Sequence, residues 1–241
     1  MLTAHPVPIL SDNYAWLLKD DQTGATAIVD PADAPACIKA LEAAGNRCDA
    51  ILITHHHDDH IAGVDQVRER FNCRVVGAAA DAYRLPKLDQ AVHEGDTVTL
   101  GNATLSVIET PGHTRGHVAY YAKDGAILLS ADTLFSLGCG RLLEGTPAEM
   151  FHSLQKLAAL PGDTLVCCGH EYTQANARFA RHIDPTNSAL EARAHEVDRQ
   201  RAAHQFTVPT RLDAELQENP FLRAPDVETL AKIRKQKDDF R

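Results

Sequence analysis

Apolar positions in this chain follow two rhythms: short β-branched or aromatic runs as far as Glu171, and three-to-four spacings between and after them. Residues 14–19 and 26–30 are such runs, parted by the turn-rich Asp20-Asp21-Gln22-Thr23-Gly24, and predict a hairpin. Asp33-Ala34-Pro35 is a helix start, Ile38 and Leu41 recur on one face, and Gly45 supplies a stop before a strand at 50–54. Ile61, Val64, Val67 and Phe71 then keep a helical period, which puts His60 at a helix N-terminus, with a strand to follow at 74–77. Two more hairpins are expected, 97–100 with 104–108 about Gly101-Asn102, and 118–121 with 126–130 about Lys123-Asp124-Gly125. Thr146-Pro147-Ala148-Glu149 is a capping box opening a helix with Phe151, Leu154 and Leu157 on one face. The strand at 164–168 is the last one expected. Beyond Tyr172 the pattern predicts a helical appendage, with helices at 187–203, 210–217 and 226–239, the last two separated by Asn219-Pro220. The fold class is α/β.

At 241 residues and 44% hydrophobic composition the chain can bury a full core. It has no apolar run near the ~18 residues of a membrane span, and no basic region followed by an apolar stretch opens it, so the expectation is a cytoplasmic protein with no membrane partner. Six cysteines without a C-x-x-C pair suit reduced, buried thiols. A net charge of -9 counts against nucleic acid as a partner. Thirteen histidines are the unusual feature.

Three of them, with a carboxylate, occupy one turn. Thr54-His55-His56-His57-Asp58-Asp59-His60 has the spacing His-x-His-x-Asp-His directly after the apolar run Ala50-Ile51-Leu52-Ile53. Neutral imidazole and carboxylate are ligands for zinc and its first-row neighbours, and a buried core would avoid such a concentration of polar groups. His113, Asp132 and His170 also each follow a hydrophobic strand, so one edge of a strand sandwich can gather all of them. A chemically sensible division puts His55, His57 and His113 on one ion and Asp59, His60 and His170 on a second, with Asp132 bridging. Two cations ~3.5–4 Å apart would share a water and hold it as hydroxide near neutral pH, the nucleophile of a hydrolase. His56 and Asp58 read as spacers, His117 as a hydrogen-bonded structural histidine, and His5, His93, His152, His182, His195 and His204 as surface or structural residues. Cys139 has no adjacent histidine to activate it and reads as a packed thiol.

The His-x-His-x-Asp-His run, Gly112-His113-Thr114-x-Gly116-His117, Asp132 and His170 resemble the metallo-β-lactamase superfamily. Further stretches are similar to its hydroxyacylglutathione hydrolase (glyoxalase II) family: Asp12-Asn13-Tyr14, Asp132-Thr133-Leu134-Phe135 with Gly138-Cys139-Gly140-Arg141, Gly169-His170-Glu171-Tyr172-Thr173, Asn219-Pro220-Phe221, and residues 234–240. The resemblance implies a four-layer αββα sandwich over 1–171 and a helical substrate-binding domain over 172–241. It implies a monomer with two divalent metal ions per chain, zinc first with iron or manganese as alternatives, and a small-molecule glutathione thioester as substrate. The implied reaction is hydrolysis of S-D-lactoylglutathione to glutathione and D-lactate, the second step of methylglyoxal detoxification. Asp59 and Asp132 hold the ions that present the hydroxide, Arg234 and Lys237 take the glycine carboxylate, and Arg141 and Tyr172 make further contacts with the tripeptide. Leu143 departs from the pattern, standing where some relatives carry an aromatic. The residues support an anionic substrate independently, because 232–241 carry five Lys/Arg against two Asp, with Arg234 and Lys237 on one helix face.

Three other readings compete. A mononuclear iron persulfide dioxygenase leaves the basic C-terminal helix without a purpose, and a phosphodiesterase or RNA-processing nuclease conflicts with the acidic balance. A non-catalytic metal-binding module would have a saturated site, and a thioester assay separates it from the rest.

Overall fold

The N-terminal hairpin is longer than the sequence predicts, because a strand precedes it. In the computed structural model, which describes residues 1–240, β1 (Leu2–Ile9) pairs antiparallel with β2 (Asn13–Asp20), and β2 with β3 (Thr26–Val29). Pro6 and Pro8 hide β1 from a sequence reading. A residue without an N–H is tolerated on a sheet edge, and β1 is the edge strand of its sheet. Arg241, the last cation counted in the basic tail, lies outside the described residues.

The chain then forms α1 (Ala34–Ala43), β4 (Ala50–Leu52), α2 (Asp58–Ile61), α3 (Val64–Phe71), β5 (Arg74–Ala78) and β6 (Gln90–Val92). Next come β7 (Thr97–Leu100), β8 (Ala103–Glu109), β9 (Val118–Ala122) and β10 (Ile127–Ala131). After these lie β11 (Leu134–Phe135), β12 (Gly138–Cys139), α4 (Pro147–Ala158), β13 (Leu165–Cys168), α5 (Thr173–Ile183) and α6 (Ser188–Ala202). The last elements are β14 (Thr210–Arg211), α7 (Leu212–Glu218) and α8 (Val227–Asp239).

Two compact units share these elements. The first comprises Met1–Glu109 and Gly116–Leu129, and the second Thr110–Arg115 and the chain from Ser130 on. In the first unit β1 to β6 form a sheet in sequence order, antiparallel at β1-β2-β3 and parallel from β3 to β6. Cys37 and Leu41 of α1 and Val64 and Val67 of α3 are buried with Ile28, Ile51 and Val75 of this sheet in one apolar cluster. The other sheet of this unit runs β10-β9-β8-β7. Fully buried Tyr120 of β9 donates its hydroxyl to the Ile53 carbonyl at 2.9 Å, satisfying both groups away from water.

The helix expected from His60 to Phe71 is two helices. Gly63 separates α2 from α3, and a side chain there would lie 2.2 Å from the Pro31 carbonyl oxygen, so the chain passes too close to the 30–32 turn for any residue but glycine.

In the second unit, Thr146 and Glu149 make the expected reciprocal capping box of α4. The strand at 165–168 is not the last: β13 pairs antiparallel with the two-residue β14, and α7 therefore begins at Leu212 rather than at 210. Helix α5 was not expected. Its buried face is Thr173, Asn176, Ala177, Phe179 and Ala180, with one bulky apolar side chain among small and polar ones and so little bulky periodicity to read, and Ala177 and Ala180 pack with Leu137, Leu190 and Ala194. All six cysteines are free and buried. Among the described residues no helix is long and apolar enough to cross a membrane.

Candidate metal centre

Each unit carries imidazole and carboxylate side chains that could hold a metal ion, and hydrogen bonds fix the tautomers of several of the imidazoles. In the first, Asp30 ends the strand β3 and is buried, with a left-handed φ of 51° that turns its carboxylate back over the start of the histidine loop. Asp30 Oδ1 accepts from the Thr54 amide at 2.9 Å, and Oδ2 accepts from Thr54 Oγ1 at 2.7 Å. The Thr54 hydroxyl has thus spent its proton, so at 3.0 Å it accepts from His55 Nδ1. His60 Nδ1 donates to Asp30 Oδ2 at 2.9 Å. One carboxylate thereby fixes two imidazoles in the tautomer that leaves Nε2 with its lone pair, which is how outer-sphere acids orient metal-ligating histidines.

The remaining donors of this unit point the same way. His55 Nε2 and His57 Nδ1 approach to 3.1 Å, and Asp59 Oδ2 lies 3.8 Å from His60 Nε2. The His55 and His57 nitrogens are close enough for one cation to take a lone pair from each. Asn13 Nδ2 donates to both Asp59 Oδ2 (3.0 Å) and the Asp59 carbonyl (3.1 Å), which gives Asn13 of the Asp12-Asn13-Tyr14 stretch its role. His117 is fully buried and stacks on His55 at 4.9 Å between centroids, a packing histidine. His56 faces away from the donor set, with Nδ1 3.4 Å from Asp81 Oδ2 and Nε2 3.1 Å from Arg84 Nη1.

In the second unit Asp132 follows β10 and is preceded by Ala131, a non-glycine residue at φ 40°. Asp132 Oδ2 lies 3.5 Å from His113 Nε2 and 3.3 Å from His170 Nε2, so one oxygen serves two imidazoles. His113 Nδ1 donates to the Arg141 carbonyl at 2.8 Å, fixing its tautomer as in the first unit. Gly140 has no side chain for want of room, since a Cβ there would lie 2.0 Å from the Asp132 carbonyl oxygen. Tyr172 stacks flat on the His170 ring, 4.5 Å between centroids and 7° between planes, and Phe135 meets both rings edge-on at 5.9 and 5.4 Å.

His113 and Asp132 line a cavity of about 430 Å³. Phe135, Leu143 and Tyr172 line it too, as do the cations Arg141, Arg234 and Lys237. Burial, with the guanidinium groups of Arg234, Arg178 and Arg141, lowers the Lys237 ammonium to about 8. Lys237 Nζ donates to the Ala175 carbonyl at 3.1 Å. Cys139 lines the cavity too, but burial pushes its thiol up to about 11, so it is a packed thiol and no nucleophile. Leu143 is 59% exposed at the rim.

Comparison with known proteins agrees with both halves of this description. The model of the metallo-beta-lactamase superfamily matches residues 10–170, and that of the hydroxyacylglutathione hydrolase C-terminus matches 171–240. The hydroxyacylglutathione hydrolase of Acidiphilium cryptum (strain JF-5) is 58% identical over 97% of this chain and 95% of its own. The crystal structure of the BLEG-1 B3 metallo-beta-lactamase superposes with a TM-score of 0.69 at 27% identity, over 92% of this chain and 99% of that one. TTHA1623, solved in a di-iron-bound form, superposes with a TM-score of 0.58 at 32% identity, over 69% of this chain and 91% of that one.

Proposed function

The chain belongs to the hydroxyacylglutathione hydrolase family of the metallo-β-lactamase superfamily, and from that membership we infer that it hydrolyses S-(2-hydroxyacyl)glutathione thioesters, S-D-lactoylglutathione first, to glutathione and the 2-hydroxy acid. The observation that carries the reading is the cavity of the second unit, which His113 and Asp132 line together with the cations Arg141, Arg234 and Lys237. A tripeptide carrying two carboxylates needs such a cluster in a protein of net charge -9.

The donor set fits two divalent cations. We assign His55, His57 and His113 to one, Asp59, His60 and His170 to the other, and Asp132 to both. The fixed Nε2 lone pairs of His55, His60 and His113 and the shared oxygen of Asp132 support that division. Zinc suits imidazole with carboxylate, as do iron and manganese. When bound, such ions supply Lewis acidity toward a carbonyl oxygen and draw a proton from water near neutral pH. The residues of this chain do the rest. Arg141, Arg234 and Lys237 hold the glutathione carboxylates, Tyr172 keeps the His170 ring in its plane and offers its hydroxyl to the tripeptide, and Phe135 covers the metal end of the cavity against water. The leaving thiolate has a conjugate acid of pKa about 8.5, so no general acid is required at the sulfur. We read 1–171 as the catalytic domain and 172–241 as the substrate domain, a division supported by the two family models meeting at 170 and 171. Six free cysteines favour a reducing compartment, the cytoplasm.

The test is turnover of S-D-lactoylglutathione by purified protein with metal content measured on the same sample. Rapid hydrolysis with about two metal ions per chain is expected. A protein that held both ions and left the thioester intact would refute the assignment, and one iron per chain with sulfur oxidation would point to a dioxygenase. A pH profile adds a second expectation. Because Lys237 titrates near 8 in the free protein, kcat/KM falls as pH rises through that value and the cavity loses a cation. Lys237→Met shows a raised KM at pH 7 and lacks this limb; a limb that survived the substitution would place it elsewhere.

A further inference from the structure

Two of the cations that line the cavity, Arg234 and Arg141, already face a carboxylate that belongs to the protein. Arg234 and Asp238 are one turn apart on α8. Arg234 Nε and Nη2 both donate to Asp238 Oδ1, at 3.1 and 2.8 Å, while Nη1 donates to the Cys139 carbonyl at 2.8 Å. The same Asp238 oxygen lies 3.8 Å from Arg141 Nε. The Nε–Nη2 edge of a guanidinium is one that grips a carboxylate with two parallel hydrogen bonds, and here it is closed on a single oxygen.

The two partners differ in freedom. The Arg234 side chain is 7% exposed, seated over the Phe221 ring and tied to the Cys139 carbonyl, so it stays where it is. The Asp238 side chain is 43% exposed and can swing into water about its own χ1. With one partner 43% exposed, the pair is open to water and to exchange on the Asp238 side, so a carboxylate arriving from outside can replace Asp238 on the fixed guanidinium. Arg141, at 70% exposure, is free to follow either partner.

We propose that Asp238 is a specificity-determining residue: its carboxylate occupies Arg234 and Arg141 in the empty cavity and gives way to a carboxylate of the ligand. The identity of that ligand rests on the glutathione thioester reading. Asp238 thereby sets how tightly anionic ligands bind, weakens retention of the released thiol product, and keeps the buried guanidinium neutralised when the cavity is empty.

The experiment compares wild type, Asp238→Asn, Asp238→Glu and Asp239→Asn, all full-length and metal-loaded, and each first checked by thermal melting. Asp239 is an exposed neighbour on the same helix, so its replacement makes the same change in net charge. Asp238→Asn lowers the KM for S-D-lactoylglutathione and the inhibition constant of free glutathione by roughly two- to fivefold, the range an exposed pair can supply. Asp238→Glu and Asp239→Asn stay near wild type. With the glycine carboxylate of the thioester esterified, the difference between wild type and Asp238→Asn disappears. A KM that rises in Asp238→Asn would make Asp238 an orienting partner of Arg234 and overturn the proposal, as would an equal fall in Asp239→Asn, which would be a general charge effect. If the wild type failed to turn over the thioester, the functional reading would fall instead. Calorimetric titration with glutathione then decides this one by whether Asp238→Asn binds more tightly.

Discussion

Replacing Asp132 by alanine removes thioester hydrolysis, lowering kcat/KM by at least ~10²-fold, the upper end of what loss of a mere outer-sphere partner of a ligand costs. The purified variant retains fewer metal ions than the wild type after dialysis against a chelator. The expectation rests on a single oxygen. Asp132 Oδ2 stands 3.5 Å from His113 Nε2 and 3.3 Å from His170 Nε2, a single anion placed between the two rings. Asp132→Asn keeps the shape and removes the charge, so it falls with alanine if charge on the shared oxygen matters. Asp132→Glu keeps the charge but carries the carboxylate one methylene further from its backbone, off the position between His113 Nε2 and His170 Nε2, and it recovers little. Elemental analysis with steady-state kinetics on the three variants decides the matter, and a fully metallated, near-wild-type Asp132→Ala would remove Asp132 from the centre.

The same reasoning shows what the sequence could and could not reveal. The seven proposed ligands were legible because each follows a hydrophobic strand, and a polar residue at such a place has a chemical reason to be there. Asp30 carries the same signature, an acid ending the run Thr26-Ala27-Ile28-Val29, but no histidine stands beside it in sequence. Its partners, Thr54 and His60, are supplied by the fold. Asn13 was visible as a family feature, but its grip on Asp59 belongs to tertiary structure. Strand β1 was concealed by its prolines, a case in which local composition contradicts the element that packing selects, whereas α5 has helix-forming alanines but too few bulky apolar residues to show a period. The basic face of α8 was read correctly as a face. That Arg234 on it is already engaged by Asp238 and Cys139 could not be read, since the second of those contacts joins residues 95 apart.

Least legible of all was Glu215, and its loss carries the other large effect. In Leu212-Asp213-Ala214-Glu215-Leu216-Gln217-Glu218 it looks like one more acid on a solvated helix, yet it is fully buried. It accepts from Ser136 Oγ at 2.9 Å, the Leu137 amide at 2.8 Å and Asn219 Nδ2 at 3.0 Å, and Asn219 in turn donates to the Phe135 and Gly138 carbonyls. Apart from Asn219, these groups belong to the tight reversal between β11 and β12, where Leu137 sits at φ 58°. Burial raises the Glu215 carboxyl above its ordinary range while the hydrogen bonds pull it back. Alanine here leaves buried donors without an acceptor, each worth about 1–3 kcal/mol, so a loss of about 3–5 kcal/mol is expected. That is a large share of a domain's ordinary ~5–15 kcal/mol. Melting falls by about 10 °C or more. Glu215→Gln keeps one acceptor oxygen and falls between. The reversal leads from Asp132 to the Arg141 carbonyl that fixes His113, so the surviving folded Glu215→Gln also loses kcat/KM, measured well below its melting temperature. An alanine variant melting within about 2 °C of wild type, a change worth only ~1 kcal/mol, would mean that water takes over the three donors and that the reversal holds itself.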